Sequence, residues 1–154
     1  MFLIDGYNLL HVAFPGRATR DSRERLVGEV VEFCRRRGYR ARIVFDATGD
    51  LPRRQRHGDV EIRNVAPGRS ADEEILSALA STRDRTAHTL VTDDQALVRE
   101  AKRRGVRVVP CRDFLRLLES PGHEPGFKEA GPVSPGEVDA WMREFGLEGE
   151  GGEE

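Results

Sequence analysis

Acidic residues follow each of the short apolar runs in this chain, and their chemistry is the first thing the sequence offers. Asp5 follows Phe2-Leu3-Ile4, and Asp46 follows Ile43-Val44-Phe45. Asp72 and Glu73 come after Val60 and Ile62 by way of Pro67-Gly68-Arg69-Ser70. Asp93 and Asp94 follow Thr89-Leu90-Val91-Thr92, and Asp113 follows Val106 to Val109. Carboxylates brought together repel one another and raise each other's pKa unless a cation sits among them. A protein that gathers Asp5, Asp72, Asp93 and Asp94 is therefore best explained by a divalent metal ion. Oxygen donors without Cys or His point to Mg2+ or Mn2+ and away from zinc. Such sites keep several waters, and one can serve as the nucleophile in phosphodiester hydrolysis.

Each acid also has an ordinary structural reading. Asp72 and Glu73 would sit in a first helical turn, where the helix dipole favours anions. Ser70 with Glu73 makes an S-x-x-E capping box, Thr92 with Gln95 a similar T-x-x-Q, and Asp46-Ala-Thr-Gly suits a turn. Taken together, the acids are harder to dismiss, because the elements that carry them should deliver them to one place.

The apolar runs read as strands and alternate with helical patterns. Leu26, Val30, Phe33 and Cys34 share one face of a helix over Asp21–Arg37, with Asp21 and Glu24 as a capping pair and Gly38 as its stop. Ile75, Leu76 and Leu79 mark a second helix, Leu97, Val98 and Ala101 a third that ends at Gly105, and Phe114, Leu117 and Leu118 a short fourth opened by Asp113. Five strands alternating with helices predict an α/β fold, a three-layer α/β/α sandwich with a mainly parallel central sheet. In such sheets ligands bind beyond the carboxyl ends of the strands, the edge where the acids fall. The Gly-, Pro- and Arg-rich stretch from Ala47 to Asp59 reads as a loop. Residues 1–119 form the domain, 120–134 a Pro- and Gly-rich linker, 135–147 a helix with the apolar stripe Val138, Trp141, Met142 and Phe145, and 148–154 an acidic tail expected to be disordered.

The composition narrows the partners. At 154 residues, 34% charged, the chain suits one soluble domain, and no apolar run is long enough to span a membrane. Two cysteines exclude a disulfide framework, and the absence of a signal-like start makes the cytoplasm the expected compartment. The net charge of −2 conceals a split: residues 1–116 carry +6 and residues 117–154 carry −8. Arg outnumbers Lys 23 to 2, and guanidinium forks suit phosphate oxygens and can stack on bases. The basic loop Arg53-Arg54-Gln55-Arg56-His57, expected on the acid edge, joins Arg17, Arg20 and Arg69 as a rim for a polyanion. Tyr7, His11, Phe14 and His57 could stack on unpaired bases, although packing suits Tyr7 and Phe14 better. Gly6 allows a sharp exit from the first strand, or close approach of backbone to a phosphate.

Four blocks, L-I-D-G-Y-N (3–8), V-F-D-A (44–47), S-A-D-E-E-I (70–75) and V-T-D-D (91–94), in this order and spacing, resemble the NYN domain, a branch of the PIN-like nuclease superfamily. The similarity is greatest to the bacterial YacP-like branch and covers about residues 1–118, with S-P-x-E-V-x-x-W-x-x-x-F (134–145) also typical of it. The resemblance implies a PIN-like sandwich and an Mg2+- or Mn2+-dependent endoribonuclease acting on mRNA or other single-stranded RNA. It implies metal-binding roles for Asp5, Asp72 and Asp94, an ordering or substrate role for Asn8, and a catalytic role for Asp46, with Glu73 and Asp93 secondary. A ribosome partner follows from the resemblance alone, and Gln95–Gly105 is shorter than the matching segment of ribosome-associated members. Two rivals stand beside this reading: a non-catalytic RNA-binding module with a vestigial acidic site, and a phosphotransfer protein. The second lacks both a D-x-D-x-T pattern and a Lys after the fifth strand. The Trp141 stripe and acidic tail suggest a homodimer contact or an autoinhibitory one that occupies the Arg rim.

Overall fold

The computed structural model describes residues 1–46 and 51–119. The expected linker, the 135–147 helix and the acidic tail lie outside the described residues, as does the start of the Ala47–Asp59 stretch. Among the described residues, six strands form one sheet in the order β3-β4-β2-β1-β5-β6. They are β1 (Phe2–Asp5), β2 (Ala41–Phe45), β3 (Arg54–His57), β4 (Val60–Asn64), β5 (Thr89–Val91) and β6 (Arg107–Val109). Every neighbouring pair is parallel except β3 with β4. Five helices cover the sheet: α1 (Gly6–Ala13), α2 (Arg20–Arg37), α3 (Ala71–Ser81), α4 (Gln95–Arg103) and α5 (Cys111–Glu119). The architecture is the expected α/β/α sandwich.

Strand residues alternate between two cores, as a pleat of period two requires. Phe2, Ile4, Ile43, Phe45 and Val91 join α1, α2 and α5 on one face. Leu3, Val44 and Leu90 join α3 and α4 on the other. Both faces are covered, which is why these strands read as short unbroken apolar runs.

Local structure departs from the sequence reading in four places. A helix, α1, begins directly after β1 where a loop was expected, because Asp5 serves as its N-cap residue without a turn between. The capping box of α2 is Thr19 with Ser22, not Asp21 with Glu24. Gly38 does end the helix, at φ 76° in the left-handed region that glycine adopts without strain. Asp94, whose Oδ1 accepts the Leu97 N–H at 3.1 Å, caps α4 in place of Thr92. Finally, part of the Ala47–Asp59 stretch is the edge strand β3. Its Arg54, Gln55, Arg56 and His57 pair antiparallel with Arg63, Ile62, Glu61 and Val60.

Candidate active site at the carboxyl edge

From β1 the chain passes to β2 on one side and, later, to β5 on the other. This reversal leaves a crevice beyond the carboxyl ends of β1 and β5, the usual ligand position in an open α/β sheet. Asp5 ends β1 there and is only 7% exposed. Its Oδ2 accepts a hydrogen bond from Thr92 Oγ1 at 3.0 Å, just past β5. Its pKa is pushed up to about 6. Burial is the main cause; the Thr92 hydroxyl works in the opposite direction, and the charges of Asp72 and Asp94 push it further up. Asp72, in the first turn of α3, is also raised, by burial and then by Asp94 and Asp46. Asp5, Asp72 and Asp94 thus lie within electrostatic reach of one another, and Asp46 within reach of Asp72.

Asp46 has a structural task as well. Its Oδ1 accepts the Ala71 N–H at 2.7 Å, tying the end of β2 to the start of α3. Asn8, in the first turn of α1, bridges to the β5 side. Its Oδ1 accepts the Asp93 N–H at 2.5 Å and lies 3.2 Å from the Cys111 Sγ donor at the start of α5. Asp93 Oδ1 accepts the Cys111 N–H at 3.0 Å, so this carboxylate serves the N-terminus of α5. Glu73 closes the capping box with Ser70, Oε1 taking the Ser70 N–H at 3.2 Å, and lies 3.9 Å from Arg69. Asp93, Asp94 and Glu73 are therefore engaged by helix ends, whereas Asp5 and Asp72 have no helix-capping hydrogen bond.

Thr92 was missed as a site residue. It is 1% exposed, donates to Asp5, and accepts the Asp94 N–H at 3.0 Å. One hydroxyl thus fixes two of the acids. The signal was present in V-T-D-D, but a helix cap explained the threonine equally well.

Among the described residues, no group of three or more His, Cys, Asp or Glu side chains is arranged to hold a metal ion. The donor chemistry nonetheless fits hydrated Mg2+ or Mn2+, which bind through one or two carboxylates and keep several waters. Asp5, buried and with Asp72 and Asp94 nearby, is where such an ion would offset both the burial and the like charge.

The basic residues divide. Arg53, Arg54, Arg63 and Arg69 line a hollow of about 210 Å³ at the carboxyl end of β4. Arg63 pairs with Glu61 and Glu74, and Arg54 reaches Glu61 at 3.2 Å. Burial alone would raise the Glu61 carboxyl, but Arg42 and Arg63 outweigh it and hold its pKa low. Arg17 and Arg20 are exposed where α1 gives way to α2. Arg56 and His57 do not lie on the acid edge, contrary to expectation. β3 runs antiparallel to β4, so it leads away from that edge until His57 pairs with Val60, the first residue of β4. Tyr7 and Phe14 pack against the core, Tyr7 with its ring 5.1 Å from that of Phe45, while His11 is exposed.

Comparisons with known proteins bear on the family and the fold. The family model of the YacP-like NYN domain matches residues 2–125. The crystal structure of Rae1 (YacP) from Bacillus subtilis is similar, with 26% identity, 77% of this chain and 73% of that chain covered, and a TM-score of 0.63. Its W164L mutant gives 24% identity, 77% and 74% coverage, and a TM-score of 0.61. No curated protein matches.

Proposed function

The chain belongs to the YacP-like NYN domain family of PIN-like nucleases, and we propose that it is a Mg2+- or Mn2+-dependent endoribonuclease that hydrolyses single-stranded RNA. The observation that carries this reading is the buried Asp5 at the sheet's reversal, raised to about 6 beside Asp72 and Asp94. A buried acid that gains no partner cation from the fold is a cost in stability, and a metal-dependent site accounts for it.

Asp5, Asp72 and Asp94 would hold the ion, with Asp46 and Asn8 keeping α3 and the β5 turn in position around them. The ion, when bound, supplies charge neutralisation and acidifies a bound water. Asp5 must be ionised for this, and Thr92 aims its carboxylate. The hollow formed by Arg53, Arg54, Arg63 and Arg69 provides guanidinium groups for phosphates on one side of the acids. Attack of water on phosphorus in line with the leaving oxygen leaves 5′-phosphate and 3′-hydroxyl ends.

The test is cleavage of unstructured RNA with Mn2+ by the full chain and by Asp5→Asn and Asp72→Asn. Each substitution should take cleavage below detection while circular dichroism stays unchanged. Persistent cleavage by the doubly substituted protein would remove these residues from the chemistry. Tight binding without product from the unsubstituted chain would favour the vestigial-site reading.

A further inference from the structure

A second concavity lies apart from the acids. A cleft of about 480 Å³ runs between α2 and the β3–β4 pair. Its helix wall is Arg20, Glu24, Gly28, Val31 and Glu32, spaced along one face, with the buried Val27 and Arg23 beside them. Its sheet wall is Gln55, His57 and Ile62, with Leu51 at the rim. Gln55 pairs with Ile62 and His57 with Val60, so all four present side chains to the α2 face.

Two observations set this cleft apart. Arg23 is a buried cation, 8% exposed, and no carboxylate among the described residues pairs with it. It lies 3.9 Å over the Phe45 ring and donates through Nη2 to Asn64 Oδ1, a neutral acceptor, while Nη1 has no hydrogen-bond partner. Burying a guanidinium without an anion is costly. Gly28 is the second observation. It stands mid-helix, where glycine is disfavoured, yet a Cβ there would meet nothing within 4 Å. Packing does not require the glycine; its effect is to leave the cleft wall bare.

The volume suits a small planar ligand, and the lining combines apolar sides with Gln55 and His57, the charged residues Arg20, Glu24 and Glu32, and the buried Arg23. Arg20 and His57, both nominated from the sequence as RNA contacts, line this cleft. We infer that the cleft takes an unstacked base of the RNA substrate, and that the base is guanine. Single-stranded RNA is read by splaying bases onto such surfaces. Guanine presents O6 and N7 together, the pair of acceptors that matches a guanidinium. Arg23 lies over the Phe45 ring, and that ring meets the ring of Tyr7, two residues after Asp5, edge to face.

This inference rests on the ribonuclease reading, and binding without cleavage separates the two. The full chain is titrated, in EDTA, against labelled short oligouridines carrying one central guanosine, adenosine or cytidine, and affinity is read by anisotropy. The guanosine strand should bind about tenfold tighter than the others, the effect of one well-made guanidinium–guanine pair. Arg23→Met and Gly28→Phe should each erase that difference. A Cβ at position 28 meets nothing within 4 Å, and an unchanged circular dichroism spectrum checks that Gly28→Phe keeps the fold where Arg23→Met could loosen it. Equal affinity for all three strands, or a preference that survives Gly28→Phe, would overturn the inference. Metal-dependent cleavage lost in Asp5→Asn would leave the nuclease reading standing in either case.

Discussion

At the scale of single residues, Asp5 carries the sharpest consequence. Its folded pKa of about 6 lies above the 3.8 of an ordinary aspartate, so the native state holds a proton that the unfolded chain releases. Linkage then works against stability as pH rises: the contribution is full below 3.8 and is lost as pH climbs to about 6. The difference is on the order of 2–3 kcal/mol. Asp5→Asn should therefore raise the melting temperature at pH 7 in EDTA and leave it nearly unchanged at pH 4, as read by circular dichroism. Mn2+ should raise the melting temperature of the unsubstituted chain and not of Asp5→Asn. A neutral-pH melting temperature unaltered by the substitution would mean that Asp5 carries no such burden.

Elements hold these residues in place, and the junction of β1 with α1 shows how little space there is. A Cβ at Gly6 would meet Phe45 Cδ1 and Cε1 at 2.6 Å and the Val44 carbonyl oxygen at 2.8 Å. The glycine is there because α1 starts against the end of β2, and its φ is not positive. The expected close approach is thus to the protein's own Phe45. Gly6→Ala must push β1 and β2 apart or displace the Phe45 ring, at a cost of about 1–3 kcal/mol. The same shift would move Asp5 relative to Asp72. Denaturant unfolding should show the loss of stability, and cleavage should fall with it; an alanine variant as stable as the parent would show the junction to be looser. At the opposite end of the sheet, Glu61 holds Arg42, Arg54 and Arg63 along the β3–β4 edge, an ion-pair network whose acid partner is buried.

At the scale of the whole molecule, charge and topology act together. The doubly covered sheet brings the ends of β1, β2 and β5 and the start of α3 to one edge, and the Arg hollow flanks it. Residues 117–154 carry −8 against +6 in the rest. If the tail's anions compete with RNA for the Arg rim, deletion of residues 135–154 should tighten RNA binding several-fold at low salt, with the gain fading as salt screens it. Affinity unchanged by the deletion would exclude that role. Among the described residues no helix is long and apolar enough to cross a membrane.

Five of the six strands and α2 to α5 were legible from periodicity, because a strand covered on both faces, such as β1, β2 or β5, is apolar throughout and a polar residue then marks its end. The capping box of Ser70 and Glu73 was legible too, being a contact between near neighbours. What only the tertiary structure decided depends on residues far apart in sequence. Thr92 could reveal itself as the partner of Asp5 only once β5 lay beside β1. Asp93 serves α5 because Cys111 comes to it across β6. The stretch Arg54–His57 has no apolar alternation of its own, so it reads as a loop until β4 supplies the hydrogen bonds that make it a strand. That pairing turns Arg54 and Arg56 to one face and Gln55 and His57 to the other. Arg23 looked like one of many surface arginines, and its burial over Phe45 arises where α2 crosses the end of β2, a placement that no local pattern encodes.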